Sequence, residues 1–420
     1  MSDKKFFPIH TATACRLKWS WSTLYLNNGK TASCHRASFS KLTADTFGNF
    51  HNTDEKVKAR ELMLEGQWPG DGCEHCRDIE QHSNLSDRLF QNTVPNEYPL
   101  ELDVDSTLTQ VDPSVLEIFF KNTCNLACLY CEESLSSRIA TENRIHGKLV
   151  PTVGIPATGL YHPDDSDNKY NEFVELFWQW LDTGYSKLQR INILGGEPFI
   201  QDDLDRLFDY IEQHPNPKLE VSIISNLILK TTKLEQFCAR VKQMIAQGKL
   251  KQVKILASVD CWGQEQEYIR HGFDCDIFEK NVQYLLTQKY LHLSILSVIT
   301  SLSINTLPML AGKFVEWNKH RPIHWYVNNL LPFEDNVLRA TIFDYTLFKQ
   351  AIEETVKLMP ASASDTFLGI VKHIEQATED LPTQHKLLEY LTEIDRRRNL
   401  DWKQTFPWLL EEFKRCGIIK

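Results

Sequence analysis

The sequence has no uninterrupted apolar run long enough to span a bilayer, and its opening, MSDKKFFPIHTATACR, holds no signal-like apolar core. The first absence excludes a transmembrane helix, and the second excludes reading the start as a secretory signal. There is no excess of basic charge: 46 Lys and Arg stand against 56 Asp and Glu, a net charge of −10. No global field therefore favours nucleic acid or a membrane surface. No P-loop, G-x-S-x-G elbow, H-E-x-x-H helix or internal repeat occurs, which withdraws the common phosphate-cradle, serine-nucleophile and zinc-protease readings. What remains is 420 residues of ordinary composition, 42% hydrophobic and 24% charged. Such a chain is long enough for two or three domains, and we expect a soluble cytoplasmic protein.

Against these absences stand 11 cysteines. Without a secretory signal they read as reduced thiols and metal ligands rather than as a disulfide framework. Three of them, Cys124, Cys128 and Cys131, follow a short apolar run (Leu116, Ile118, Phe119, Phe120) in the spacing C-x3-C-x2-C. The run reads as a buried strand and the cysteines as the loop that leaves it. Three thiolates on one loop can converge on one point, and iron–sulfur clusters are held at such spacings. Four ligands close a metal site, whereas three leave one corner for something that is not protein. The bland alternatives are a zinc loop or a chance cluster.

With Tyr130 as the aromatic before the last cysteine, the loop resembles that of radical S-adenosylmethionine (radical SAM) enzymes. The resemblance implies a 4Fe–4S cluster on Cys124, Cys128 and Cys131, with S-adenosylmethionine chelating the open iron. It further implies reductive cleavage to a 5′-deoxyadenosyl radical and a flavodoxin- or ferredoxin-type reductant.

From about residue 114 the pattern repeats strand, loop and helix, as in a parallel sheet with crossover helices. Arg190–Leu194 runs into Gly195, Gly196, Glu197 and Pro198. Glycines at a strand end admit close approach to the backbone, a carboxylate there can accept from an ammonium, and the proline suits a helix start. Glu220–Ile224 ends in Ser225 and Asn226. Val253–Val259 is followed by Asp260, which shares a face with Ser258. Tyr268–Gly272 then supplies Arg270.

GGEP resembles the family motif that holds the amino group of S-adenosylmethionine. Ser225 and Asn226 resemble its small polar pair, and Ser258, Asp260 and Arg270 a shortened form of its S-x-D…Y-x-x-I-R-x-G pattern. The resemblance implies that these residues bind the cofactor, Arg270 through a fork to its carboxylate. Leu291–Thr300 and Ile323–Val327 complete six strands. The expected fold is thus α/β, a partial (β/α)6 radical SAM barrel over 114–335, with its motifs at the carboxyl ends of the strands.

Within that span, 132–170 reads as a long insertion, a lid or binding loop, before an amphipathic helix at 171–181. Residues 1–90 read as a small cysteine-rich domain: a strand, an Asn-Gly hairpin, a helical stretch over 55–68, and the C-x2-C pair Cys73 and Cys76. Cys15, Cys34, Cys73 and Cys76 are four candidate ligands, for zinc or iron–sulfur equally. Beside a radical SAM loop they resemble the SPASM/twitch module, here before the barrel rather than after it, which implies a second, auxiliary iron–sulfur cluster with zinc as the alternative. Residues 91–113 read as a linker and 336–420 as a helical C-terminal extension. Its Arg396–Arg398 reads as a solvated face, and Trp402, Phe406 and Trp408 as packing on the N-terminal unit or closing the barrel. Cys238 reads as a core residue of a helix over 234–245, and Cys261, Cys275 and Cys416 lack partners at ligand spacing, Cys275 being an outside auxiliary candidate.

Family members with such modules mostly modify peptides or proteins, so the resemblance implies a peptide or protein substrate. The alternatives are a small-molecule radical SAM enzyme, a non-catalytic iron–sulfur or zinc scaffold, and, disfavoured by the acidic balance, an RNA-modifying enzyme.

Overall fold

The structure is a computed structural model, and it describes residues 11–34, 37–70, 72–81, 86, 88–89, 107–149, 167–330 and 336–420. Its strands are β1 (Trp21–Tyr25), β2 (Lys30–Ala32), β3 (Ser40–Lys41), β4 (Val115–Phe119), β5 (Ala127–Cys128), β6 (Arg190–Leu194), β7 (Asn216–Ser225), β8 (Leu250–Ser258), β9 (Arg270–His271), β10 (His292–Ile299) and β11 (His324–Asn329). Among the described residues, nine of them form one sheet in the order β11-β10-β8-β7-β6-β4-β1-β2-β3, and β5 pairs with β9 in a second.

The protein is α/β with a large, mostly parallel sheet. From β4 to β11 its strands lie in chain order and all run parallel. Parallel strands in chain order, each returned by a right-handed crossover, put their helices on one face. The side chains agree. Leu24, Ile118, Ile193, Ile223, Ile255 and Leu293 lie in one cross-strand row, and none is more than 4% exposed. The helix Asp202–Gln213 buries Leu204, Leu207, Phe208 and Ile211 from the same core.

Four expectations are corrected. The first 90 residues do not stand apart, because β1 pairs in parallel with β4 along its whole length and carries the hairpin strand β2 on its other edge. An edge strand with unpaired backbone groups is a liability, and β1 covers the edge of β4. Nor is the segment before the core a plain linker where it is described: Trp19 donates to the Leu108 carbonyl, Asn52 to that of Val111 and Arg60 to that of Thr109. The 132–170 insertion is not all loop either. Ser136 caps a helix at Ser137–His146, and the next helix begins at Asp167; residues 150–166 lie outside the described residues.

The fourth correction concerns the C-terminus. Arg397 and Arg398 have side chains only 2% and 3% exposed, Arg396 alone being solvated at 57%. Trp402 packs edge-on to Phe413, Phe406 on Tyr268, and Trp408 against Phe343 and Phe348. Among the described residues Phe406 joins the end of the chain to the segment after β8, and Trp402 and Trp408 pack within residues 336–420. Among the described residues no helix is long and apolar enough to cross a membrane.

Candidate functional site

The cysteine loop leaves the carboxyl end of β4 and is held on three sides. Cys128 in β5 is the register partner of Arg270 in β9, and Leu129 N–H donates to the Ile269 carbonyl. From the GGEP side, Gly196 N–H donates to the Leu135 carbonyl and Glu197 N–H to that of Thr123. From the C-terminal helix Leu381–Arg398, the Tyr390 hydroxyl donates to the Leu129 carbonyl at 2.7 Å and Arg398 to that of Ala127 at 2.9 Å. Leu126 N–H points at the Cys124 sulfur at 3.4 Å, a contact suited to a ligating thiolate.

All three thiols are resistant to ionising. Burial pushes Cys124 up to about 12, with Cys128 adding to it, and pushes Cys128 and Cys131 in the same direction. A half-buried thiol of this kind gives up its proton when a cation replaces it. The donor set therefore fits a cationic metal cluster.

At the end of β6, Gly195 and Gly196 both take positive φ, +81° and +58°, and a Cβ on Gly196 would lie 2.2 Å from the Thr123 carbonyl oxygen. That approach locks the two loops together. Gln201 strengthens it, its amide reaching the carbonyls of Lys121, Thr123 and Gly195. Pro198 opens the short helix that follows, with Glu197 as its cap.

The Glu197 carboxylate is 1% exposed. It accepts from Phe199 N–H and the Ser225 hydroxyl on one oxygen and from Asn226 N–H on the other, at 2.7–3.1 Å. Burial nevertheless holds its pKa up at about 7. Its first task is thus to tie the end of β6 to the end of β7. Asn226 carries the tie onward: its amide donates to the Asn125 side chain, between Cys124 and Cys128.

Beyond β8, Asp260 is fully buried and accepts from both ends of the Arg270 guanidinium, at 2.8 and 2.9 Å. Tyr130 donates to the same carboxylate at 2.6 Å, and Val298 N–H at 2.9 Å. The Arg270 fork expected for a cofactor carboxylate is therefore turned inward on Asp260, and the Tyr130 hydroxyl with it. This is a physical necessity for a buried aspartate, which needs its charge and lone pairs met. The Arg270 guanidinium still lies 5.6 Å from the centre of the Tyr130 ring. Ser258 closes β8 and is buried.

In the N-terminal unit Cys15, Cys34, Cys73 and Cys76 all line one small cavity, with Lys18, Trp68 and Arg88. Three segments distant in sequence thus bring four thiols to one place. Burial pushes Cys15 up to about 12, and Lys18 opposes this. Among the described residues the trio whose ligand atoms close to within 4.8 Å is Glu379, Glu412 and Cys416, and the Arg415 guanidinium already bonds all three. Neither cysteine set is drawn in around a single bare ion. Cys275 is remote from this cavity, its thiol directed at the Gly263 carbonyl.

Sequence reasoning missed Asn125, Gln201, Tyr390 and Arg398. None had a spacing signal, since each acts through a contact between distant segments, Tyr390 and Leu129 being 261 residues apart.

No protein-family model matches the sequence, and no curated protein matches it. Among solved structures the chain is similar to SuiB of Streptococcus suis bound to S-adenosylmethionine, at 15% identity and TM-score 0.36, covering 84% of this chain and 68% of that one. It is also similar to SuiB bound to its precursor peptide SuiA, at 16% identity and TM-score 0.35, covering 71% of this chain and 61% of that one. For a further SuiB crystal structure the values are 16%, 0.37, 84% and 67%. Overlaps that loose assign nothing to this chain.

Proposed function

We propose that the protein is a radical SAM enzyme acting on a peptide or protein. The observation that carries the reading is the joining of three distant motifs at one rim. The cysteine loop after β4 is hydrogen-bonded to GGEP after β6 and strand-paired to Tyr268–Gly272 beyond β8. Cys124, Cys128 and Cys131 would hold a 4Fe–4S cluster. With S-adenosylmethionine bound, such a cluster would supply a 5′-deoxyadenosyl radical on one-electron reduction.

The chain's own residues do the positioning. Gly195 and Gly196 bring bare backbone to the rim, and Glu197, Ser225 and Asn226 fix the ends of β6 and β7 there. Asp260 and Arg270, with Tyr130, hold the last turn of the cysteine loop against the end of β8. The cysteine loop is half-buried and braced by Tyr390 and by the GGEP turn, which would limit water at the rim, as radical chemistry requires. The N-terminal cysteines would hold an auxiliary iron–sulfur cluster, zinc being the alternative. A peptide substrate rests on the likeness of that module to SPASM/twitch domains.

The test is anaerobic incubation with S-adenosylmethionine and a strong reductant. The reading expects 5′-deoxyadenosine from wild type and none from Cys128→Ser, with release rising when the right peptide is added. Stimulation by a sugar or nucleoside alone would make it a small-molecule enzyme. Binding without cleavage would make it a scaffold.

A further inference from the structure

The N-terminal unit buries two cations side by side. Lys56 and Arg60 lie one turn apart on the helix Asp54–Leu64 and are 4% and 0% exposed. The Lys56 ammonium donates to the Ser22 hydroxyl at 2.8 Å, the Thr31 hydroxyl at 2.7 Å and the Phe50 carbonyl at 2.8 Å. The Arg60 guanidinium donates to the carbonyls of Lys18, His51 and Thr109 and to the side-chain oxygen of Asn52. Every one of these acceptors is neutral. His51 brings no negative charge either: its Nδ1 meets the Ser22 hydroxyl and its Nε2 the Trp19 carbonyl. Burial, with Arg60 and Lys56, holds its pKa well below the ordinary value. The neighbouring carboxylate, Glu55, is exposed and accepts from the Ser40 hydroxyl. The hydrogen bonds of both cations are met, but among the described residues neither has an anion bonded to it, and a buried charge so placed is costly.

The missing charge has a place beside them. Thr31 belongs to β2, which leads on to Cys34. Lys18, whose carbonyl Arg60 holds, lines the cavity of the four thiols, and so does Met63 from the helix that carries Lys56 and Arg60. The electrostatics run the same way. Burial, Arg60 and Lys18 all draw the Lys56 ammonium toward losing its proton, and Cys34 leads what opposes them, ahead of Glu55. Four thiolates around one divalent ion carry a net double negative charge, and an iron–sulfur cluster on four thiolates has the same excess of ligand charge.

We propose that Lys56 and Arg60 are positioning residues that charge-match the N-terminal metal centre. They hold positive potential beside the cavity for the anionic set that Cys15, Cys34, Cys73 and Cys76 become on binding metal. This rests on the reading above for those four thiols as ligands, but neither on the rim cluster nor on which metal is native. Groups outside the ligands of such a centre change metal affinity by about 10- to 100-fold. Lys56 is the one that can be exchanged cleanly. Without it the Ser22 hydroxyl keeps His51 Nδ1 at 2.8 Å, and the Thr31 hydroxyl still donates to the Phe50 carbonyl at 3.3 Å.

The test is a zinc titration, against a competing chelator, of the metal-free full chain with Cys124, Cys128 and Cys131 changed to Ala, which takes the rim thiols out of play. Zinc serves as the probe whichever metal is native, because it draws the same four thiols into their anionic form. In that background Lys56→Met and Lys56→Gln should each weaken zinc binding about tenfold or more. The metal-free melting temperature should hold or rise, as removal of an uncompensated buried charge implies. Lys58→Met, on the same helix but 63% exposed, should change neither. Unchanged zinc affinity in Lys56→Met, affinity kept by Lys56→Gln, or a metal-free melting temperature that falls along with the affinity would overturn the proposal. So would a background protein that binds no zinc. Because neither S-adenosylmethionine nor the rim cluster enters this titration, failure of cofactor cleavage and failure of the charge match are read separately.

Discussion

At Gly196 a side chain has nowhere to go: its Cβ would meet the Thr123 carbonyl at 2.2 Å with φ at +58°. Left-handed backbone alone costs a non-glycine residue about 1–2 kcal/mol. Gly196→Ala should therefore lower stability in urea by more than Gly248→Ala, whose φ of +66° looks onto open space. We expect about 1 kcal/mol for Gly248→Ala and at least about twice that for Gly196→Ala, where the clash adds to the strain. Equal losses would mean that the two loops are not locked at this point.

Glu197 makes a pH prediction. Its carboxyl is held at about 7 by burial against three opposing donors, whereas an unfolded glutamate titrates near about 4.3. Between those values the folded state binds more protons, so its contribution to stability is largest at low pH and is lost as pH rises through about 7. Urea unfolding of Glu197→Gln should show a smaller fall in stability between pH 5.5 and 8 than wild type. An identical fall in both would remove Glu197 as the titrating group.

Among the elements, the helix Leu381–Arg398 has the most consequence beyond its own packing. Tyr390 satisfies the buried Leu129 carbonyl, and Arg398, paired with Glu142, satisfies that of Ala127. Removing a buried partner costs about 1–3 kcal/mol. Tyr390→Phe and Arg398→Gln should lower the melting temperature and speed the loss of iron to a chelator. Arg396→Gln, two turns of sequence from Tyr390 but solvated, should change stability by no more than about 0.5 kcal/mol. If all three variants retain iron equally, the helix is no brace for the cysteine loop.

Across the whole molecule, what could be read in the sequence was what local spacing encodes. The six parallel strands from β4 to β11, the turn at Gly195–Gly196 and the inward face of the helix Asp202–Gln213 all follow from periodicity and punctuation over a few residues. The union of β1 with β4 did not, because an edge strand and a separate hairpin have the same alternation. Nor did the fate of Arg397 and Arg398, since an arginine on a helix gives no sign of the carbonyl it will meet in a loop 250 residues earlier. The motif residues lie together at one rim, and Arg270 pairs with Asp260, a contact that the sequence did not show. That pairing depends on how the segment after β8 folds back on the cysteine loop, which spacing alone does not fix.

The central claim is that Cys124, Cys128 and Cys131 hold a catalytic cluster beside a second centre in the N-terminal unit. It is tested most directly by iron and sulfide analysis with EPR after anaerobic reconstitution, on wild type and on the variant with all three cysteines changed to Ala. The account predicts about eight irons per chain in wild type and about four in the variant, as cysteine-held four-iron clusters require. About four in wild type and none in the variant would give the N-terminal cysteines to zinc or to structure. No iron in either protein would contradict the account at its root.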